Sequence, residues 1–454
     1  MSVNTTPDPY ARRPEDALEP PSGFGPTLRY LGPGLIITGS IVGSGELITT
    51  TTLGATVGFV LLWWILFSCW VKSVFQAEFG RYIISSGETG LRALNRVPGK
   101  VGRVSWVVLL WMVLLIPFHL GVGGIYGGVG QAVALAVPEV DALVWTLLFA
   151  VLAIGLVLTG VYRLLESLLT FMVVIFTFIT LACAILLQFT EYALTWSDLS
   201  LGLSFDFPVF AIALALGAFG ATGVSANENI AYTYWCTEKG YARFAGPRER
   251  DDAWTARAKG WIKVLHTDVW LTLILLTLAT IPFYMLGAGV LNQMGKVPDG
   301  LETIAILSNM YTETLGTWAF YLFLLGAFFV LFSTVVSILG GSVRMMADAA
   351  VILGLIPEDD YPARLRAIRI LTIVSPTIMI ICYFFVQNPV WMVMVGGMFG
   401  AMNAPIIAGS IIYLRYRHTD KRLTPGRVVD ALLWLCFSAM LCLAGYIVYV
   451  RFIA

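Results

Sequence analysis

Two short polar stretches carry the residues best suited to hold a charged or polar cargo: Gly43-Ser44-Gly45-Glu46 and Ser225-Ala226-Asn227-Glu228-Asn229. Each sets a carboxylate inside an apolar run long enough to cross a bilayer. Glycines weaken a helix and expose its carbonyls, so Glu46, just after Gly43 and Gly45, could bind a cation together with those oxygens. Its plainer role is at the N-terminus of a resumed half-helix, where the dipole favours an anion. Around Glu228, the side chains of Ser225, Asn227 and Asn229 supply hard oxygen ligands or hydrogen-bond donors. Glu228 would be merely interfacial if the span ended there. The apolar-aromatic run Ile230–Trp235 that precedes Lys239 places the interruption inside the membrane instead. Asn403, ahead of Pro405, could add an amide oxygen or bond helix to helix. Intramembrane charges are costly and usually functional. Glu46 and Glu228 are therefore the candidate metal ligands. Gly43, Ser44, Gly45, Val224, Ser225, Asn227 and Asn403 complete the candidate substrate site.

Two further polar residues interrupt apolar runs. Lys72 could snorkel to the cytoplasmic face or stand as a fixed positive charge near the pathway. His119, after Pro117 and before the glycine-rich stretch Gly121–Gly130, is a candidate for a proton pathway because imidazole titrates near neutrality; a satisfied core histidine is the equal alternative. Glu78, Arg81 and Glu88 read as interfacial salt-bridge partners. The six cysteines show no metal-ligand spacing and imply no disulfide framework. No Walker, Rossmann, HExxH or Ser-His-Asp arrangement appears, so neither an enzyme nor a cofactor is expected.

The elements that must position these residues are membrane helices. The chain has 454 residues, is 58% hydrophobic and is 12% charged, about half the charge of a soluble protein. Its zero net charge gives no reason to expect nucleic acid as a partner; the lipid bilayer is the expected one. Apolar runs predict eleven spans, near 31–54, 57–83, 104–135, 142–161, 164–189, 208–236, 264–290, 314–346, 366–386, 389–414 and 428–450. Nearly all of the 28 Lys and Arg fall on one side if the N-terminus is cytoplasmic, which puts the C-terminus outside. The expected setting is the cell membrane. Residues 1–27 lack an apolar signal segment and read as a mobile cytoplasmic tail. Residues 28–190 and 206–414 form two five-span halves, and 427–454 an additional helix. Spans 1 and 6 are expected to break near Ile41–Gly45 and Val224–Asn227, facing each other near the midplane. The five-span offset inverts one half relative to the other, as in transporters with inverted repeats.

The chain resembles the Nramp family of metal-ion transporters, within the LeuT-fold group, from about Leu31 to Leu414. The resemblance rests on Gly32-Pro33, Gly54-Ala55-x-x-Gly58-Phe59, Gly160-Val161-Tyr162-Arg163-x-x-Glu166, Gly220-Ala221-Thr222 and Leu315-Gly316-x-Trp318-Ala319. It implies an all-α polytopic protein with a LeuT-type 5+5 inverted repeat plus an eleventh helix, working by alternating access. Two motifs depart from the family. Its Asp-Pro-Gly-Asn in span 1 reads Gly43-Ser44-Gly45-Glu46 here, and its Met-Pro-His in span 6 reads approximately Val224-Ser225-Ala226. The soft thioether ligand is gone, so a preference for transition metals over Mg²⁺ and Ca²⁺ should go with it. The acidic residues that carry protons in span 3 of the family are also missing. The expected function is secondary transport of a cation, a divalent metal first. A small organic solute, an amine or amino acid, is the alternative on the same fold.

Overall fold

The computed structural model describes residues 8–159, 162–249 and 251–452. Gly160 and Val161, at the opening of span 5, and Arg250 lie outside the described residues. Among those described, nine helical runs are long and apolar enough to cross a membrane. The first, Pro33–Ser86, is 54 residues long, about 80 Å of helix against a hydrocarbon core of about 30 Å. It holds two crossings, joined where Gly58 takes a φ of +63°. Span 7 makes the reversal visible. Its Asp268 meets Gly32 and Gly34, its Thr280 meets Glu46, and its Tyr284 hydroxyl joins the Gly58 carbonyl and Leu61 amide. The chain then returns, with Cys69 again beside Thr280 and Gly80 beside Leu265. Span 5, helical over Tyr162–Leu186, supplies the remaining crossing.

The eleven spans are therefore Pro33–Val57, Leu62–Ser86, Trp106–Ala136, Ala142–Thr159, Tyr162–Leu186, a two-part span 6 (Ile212–Ala221 and Ala226–Lys239), Asp252–Leu286, Ala319–Ile352, Tyr361–Val386, Pro389–Arg417 and Arg427–Phe452. Span 7 starts well before the expected residue 264, because Asp251 caps it by accepting a hydrogen bond from the Trp254 amide at 2.8 Å. Large apolar side chains such as Phe178, Trp270 and Leu435 point outward, where lipid rather than water is their natural solvent. The protein is an all-α polytopic membrane protein with two inverted five-helix halves and an eleventh helix. Span 11 is held to span 10 by the Arg415–Asp430 pair at 2.9 Å.

The N-terminal segment, read from the sequence as a mobile tail, has defined contacts. Over its described part it is docked on the helix ends. Tyr10 lies under the Arg364 guanidinium, Arg12 donates to the Ser86 carbonyl, and Leu18 exchanges hydrogen bonds with Phe244 and Trp261. Its aromatic and arginine side chains find partners that composition alone does not reveal.

Candidate functional site

Span 6 is interrupted as the sequence predicts. Its first half ends at Ala221, Thr222–Ser225 are non-helical, and Gly223 turns the chain with a φ of +65°. The second half resumes at Ala226, where the Ser225 hydroxyl faces the Glu228 amide at 3.5 Å. Asn229 ties the interruption together: its amide donates to the carbonyls of Val224 and Ser225 at 3.1 and 3.2 Å.

Span 1 does not break, which corrects the expectation for Ile41–Gly45. It is α-helical over Pro33–Ile41, widens into a π-helix over Val42–Thr50 and returns to α over Thr51–Val57. The reason is the threonine run that follows the glycines. Thr49 donates to the Gly45 carbonyl at 2.5 Å, Thr51 to that of Glu46 at 3.1 Å and Thr52 to that of Ile48 at 2.7 Å. Hydroxyls that bond back to nearby carbonyls stabilise a distorted helix, and π-segments recur at functional sites. The glycines serve close approach. A methyl group on Gly43 would come within 2.4 Å of Thr334 Oγ1, and one on Gly45 within 2.4 Å of the Ala221 carbonyl oxygen. The two distorted segments touch, with Thr50 and Thr222 hydroxyls 2.8 Å apart.

Beside them lies a cleft between spans 1, 3, 6, 8 and 10. Its polar lining is Ser40, Ser44, Ser225, Asn227 and Glu228. The Asn227 oxygen is taken by the Trp111 indole N–H at 3.0 Å. Glu228 Oε2 has no hydrogen-bond partner among the described residues. A smaller cavity shares Ser40, Phe118, Asn227, Glu228 and Ile338 and continues past Ala231, Trp235 and Met345, toward the end of the bundle that carries the start of span 1.

Other sequence candidates lie apart from the cleft. Glu46 is fully buried, and its Oε1 accepts from the Thr280 hydroxyl of span 7 at 2.8 Å. Val224 is buried behind the interruption, and Asn403 is buried in span 10 without lining the cleft. His119 bridges spans 3 and 9: its Nδ1–H donates to the Leu115 carbonyl at 2.6 Å, and Nε2 is 3.0 Å from Ser375 Oγ. Among the described residues no three His, Cys, Asp or Glu converge on one point.

One residue escaped the sequence reading, and another is settled between its two alternatives. Asp268 accepts from the amides of Gly32 and Gly34 at 3.0 and 2.7 Å and from the Tyr232 hydroxyl at 3.0 Å. It thereby staples the start of span 1 to span 6. A signal existed: Asp268 sits in an apolar stretch with no basic residue three or four positions away. Lys72 does not snorkel. It is buried, and its ammonium donates to the carbonyl oxygens of Phe219, at 2.5 Å, and Thr222.

Comparison with solved structures places this architecture. A histidine-to-alanine mutant of the manganese transporter of Eremococcus coleocola superposes with a TM-score of 0.63 at 14% identity, covering 95% of this chain and 90% of that one. Mhp1, a nucleobase-cation-symport-1 family transporter, gives 0.52 at 11% identity over 92% and 93% of the two chains. The fold is that of the LeuT-type membrane transporters. Residues 34–450 match the family described as natural resistance-associated macrophage protein-like. The chain belongs to this family, Nramp, and is a transporter rather than an enzyme. An uncharacterised protein of Pasteurella multocida is 25% identical over 437 residues, covering 92% of this chain and 90% of the relative.

Proposed function

We propose that the protein is a secondary transporter of a hard cation, a divalent metal such as Mn²⁺ or Mg²⁺, taken into the cleft beside the break in span 6. The observation that carries this reading is the Glu228 carboxylate, which lines the cleft with one oxygen unpartnered among the described residues. Ser40, Ser44 and Ser225 line the same cleft. An ion bound here would meet one carboxylate and neutral oxygens, so it would retain part of its water shell, as hard cations do. The manganese transport named for the Eremococcus relative agrees with a metal cargo. Among the described residues no thioether lines this cleft, which agrees with poor discrimination against Mg²⁺ and Ca²⁺. Proton coupling would be weak, since His119 is held between spans 3 and 9 and away from the cleft. The protein would lie in the cell membrane with its N-terminus cytoplasmic and its C-terminus outside. Residues 28–190 and 206–414 would act as two repeats and 427–454 as an addition. The cleft, leading toward the cytoplasmic ends of spans 1, 6 and 8, would then be an inward-facing one.

A second reading, a small organic cation such as an amine, is favoured by charge. Glu46 and Glu228 share the neighbourhood with one buried ammonium, that of Lys72. With Glu46 turned to Thr280 and away from the cleft, Glu228 is the one carboxylate among the described residues that lines it, and a single carboxylate matches a monovalent cation. Uptake into vesicles reconstituted with the purified protein distinguishes the two readings. Mn²⁺ uptake that falls under excess Mg²⁺ supports the metal reading. No metal uptake, with amine uptake in its place, rejects it.

A further inference from the structure

A helix that stops inside a membrane leaves its last carbonyls without amide partners and concentrates negative potential there. In a bilayer no water is at hand to satisfy them. The first half of span 6 ends in this way at Ala221. Its end is occupied: Lys72, from span 2, donates to the carbonyls of Phe219 at 2.5 Å and of Thr222, and its ammonium lies 4.6 Å from the centre of the Phe219 ring. The Ser68 hydroxyl, one turn earlier on span 2, faces the same two carbonyls at 3.2 and 3.3 Å. Among the described residues both hydrogen bonds of Lys72 go to carbonyls, and Glu228 and Glu46 act on it through space. The ammonium is thus held by main-chain oxygens, with carboxylates further off, which is the environment of a bound ion rather than of a salt bridge.

We propose that Lys72 is a resident cation, a tethered ammonium that fills the negative end of the half-helix and takes the place of a free monovalent ion. Two consequences follow for specificity. The carbonyl end of the half-helix is closed to cargo, which must use the Glu228 side of the break. Transport also needs no separate ion, such as Na⁺, at this position. The tether crosses from span 2 to span 6, so it holds the interruption in shape whatever the cargo.

The inference rests on span 6 being the transport site, yet its test needs no cargo, so its failure is separable from failure of cation uptake. Truncation at Lys72 frees the space of its own side chain, next to a small cavity lined by Phe75, Ala226, Asn229 and Ile407 among others, and that space can take an added amine. The experiment is the melting of purified wild type, Lys72→Ala and Lys72→Met in choline, sodium and ethylammonium chloride. Wild type should melt alike in all three. Lys72→Ala should melt lower in choline, by about 5 °C or more, and recover in ethylammonium or sodium. Lys72→Met, whose side chain fills the space without a charge, should melt lower and stay unrescued. Lys72→Met that melts like wild type in choline overturns the proposal, and does so even if Lys72→Ala fails to fold. Loss of stability in Lys72→Ala that neither cation restores also overturns it, as does a wild type that sodium stabilises.

Discussion

Span 1 carries its helix through Val42–Thr50 by widening it, whereas its inverted counterpart, span 6, gives up the helix altogether between Ala221 and Ala226. The difference lies in where the freed carbonyls go. In span 1 the threonines at 49, 51 and 52 take them locally, so the backbone stays closed and Glu46 is sealed against span 7. In span 6 no such run follows the glycines. The carbonyls are taken by Lys72 and Asn229 from outside the break, and Ser225, Asn227 and Glu228 are left to face the cleft. Two segments that look alike in composition therefore part ways: span 1 stays a closed helix that brings Ser40 and Ser44 to the cleft, and span 6 opens and brings Ser225, Asn227 and Glu228 there, so that under the proposed function the cargo's carboxylate comes from span 6.

The contact between the two segments is the most fragile part of this division. Gly45→Val should be the most damaging change, because its side chain meets the Ala221 carbonyl, backbone that cannot swing away. Overpacking of this kind costs about 1–3 kcal/mol; a lowered melting temperature together with lost uptake is expected. Uptake at the wild-type rate would mean that the segments need not touch.

Glu46→Gln should act on stability alone. It replaces the carboxylate that accepts from Thr280 with an amide that can turn a donor toward that hydroxyl, at a cost of about 1–2 kcal/mol. The empty protein should melt lower while the cation-induced shift is retained. A smaller loss is expected for Ser225→Ala, about 1 kcal/mol for a lost N-cap. Because Ser225 also lines the cleft, the metal affinity should weaken with it. Thr52→Val, which removes a back-bond to Ile48 in span 1, should leave affinity unchanged.

The smallest effect lies outside the membrane. Arg422 and Arg248 hold the Asp420 carboxyl well below its ordinary range. A carboxylate with a depressed folded pKa stabilises the protein above its unfolded pKa and loses that contribution as pH falls. Wild type should lose stability relative to Asp420→Asn on acidification below about pH 4, by about 1 kcal/mol at most given the exposed arginines. Parallel melting curves over that range would remove this pair from the account.

Much of the scaffold was legible because its signals are strong and repeated. Apolar runs give the spans, and the Ser225-to-Asn229 cluster gives the interruption of span 6. Span 1 misled because glycines mark a weak helix without saying what else can satisfy its carbonyls; that depends on the threonines downstream. Lys72 was misplaced for a related reason. A lysine in an apolar run snorkels unless carbonyls lie within reach, and those belong to a segment about 150 residues away, at Phe219 and Thr222. The docking of Tyr10 and Arg12 likewise rests on partners distant in the chain.

The division between the two segments is tested most directly by the metal-induced melting shift of Glu228→Gln beside wild type, with Mn²⁺ as the probe. Gln keeps the shape and one oxygen but not the charge. The account predicts that Glu228→Gln melts close to wild type when empty and shows little or no shift with Mn²⁺. A full wild-type shift in Glu228→Gln would contradict it, because the carboxylate facing the cleft would then not be the group that holds the cation.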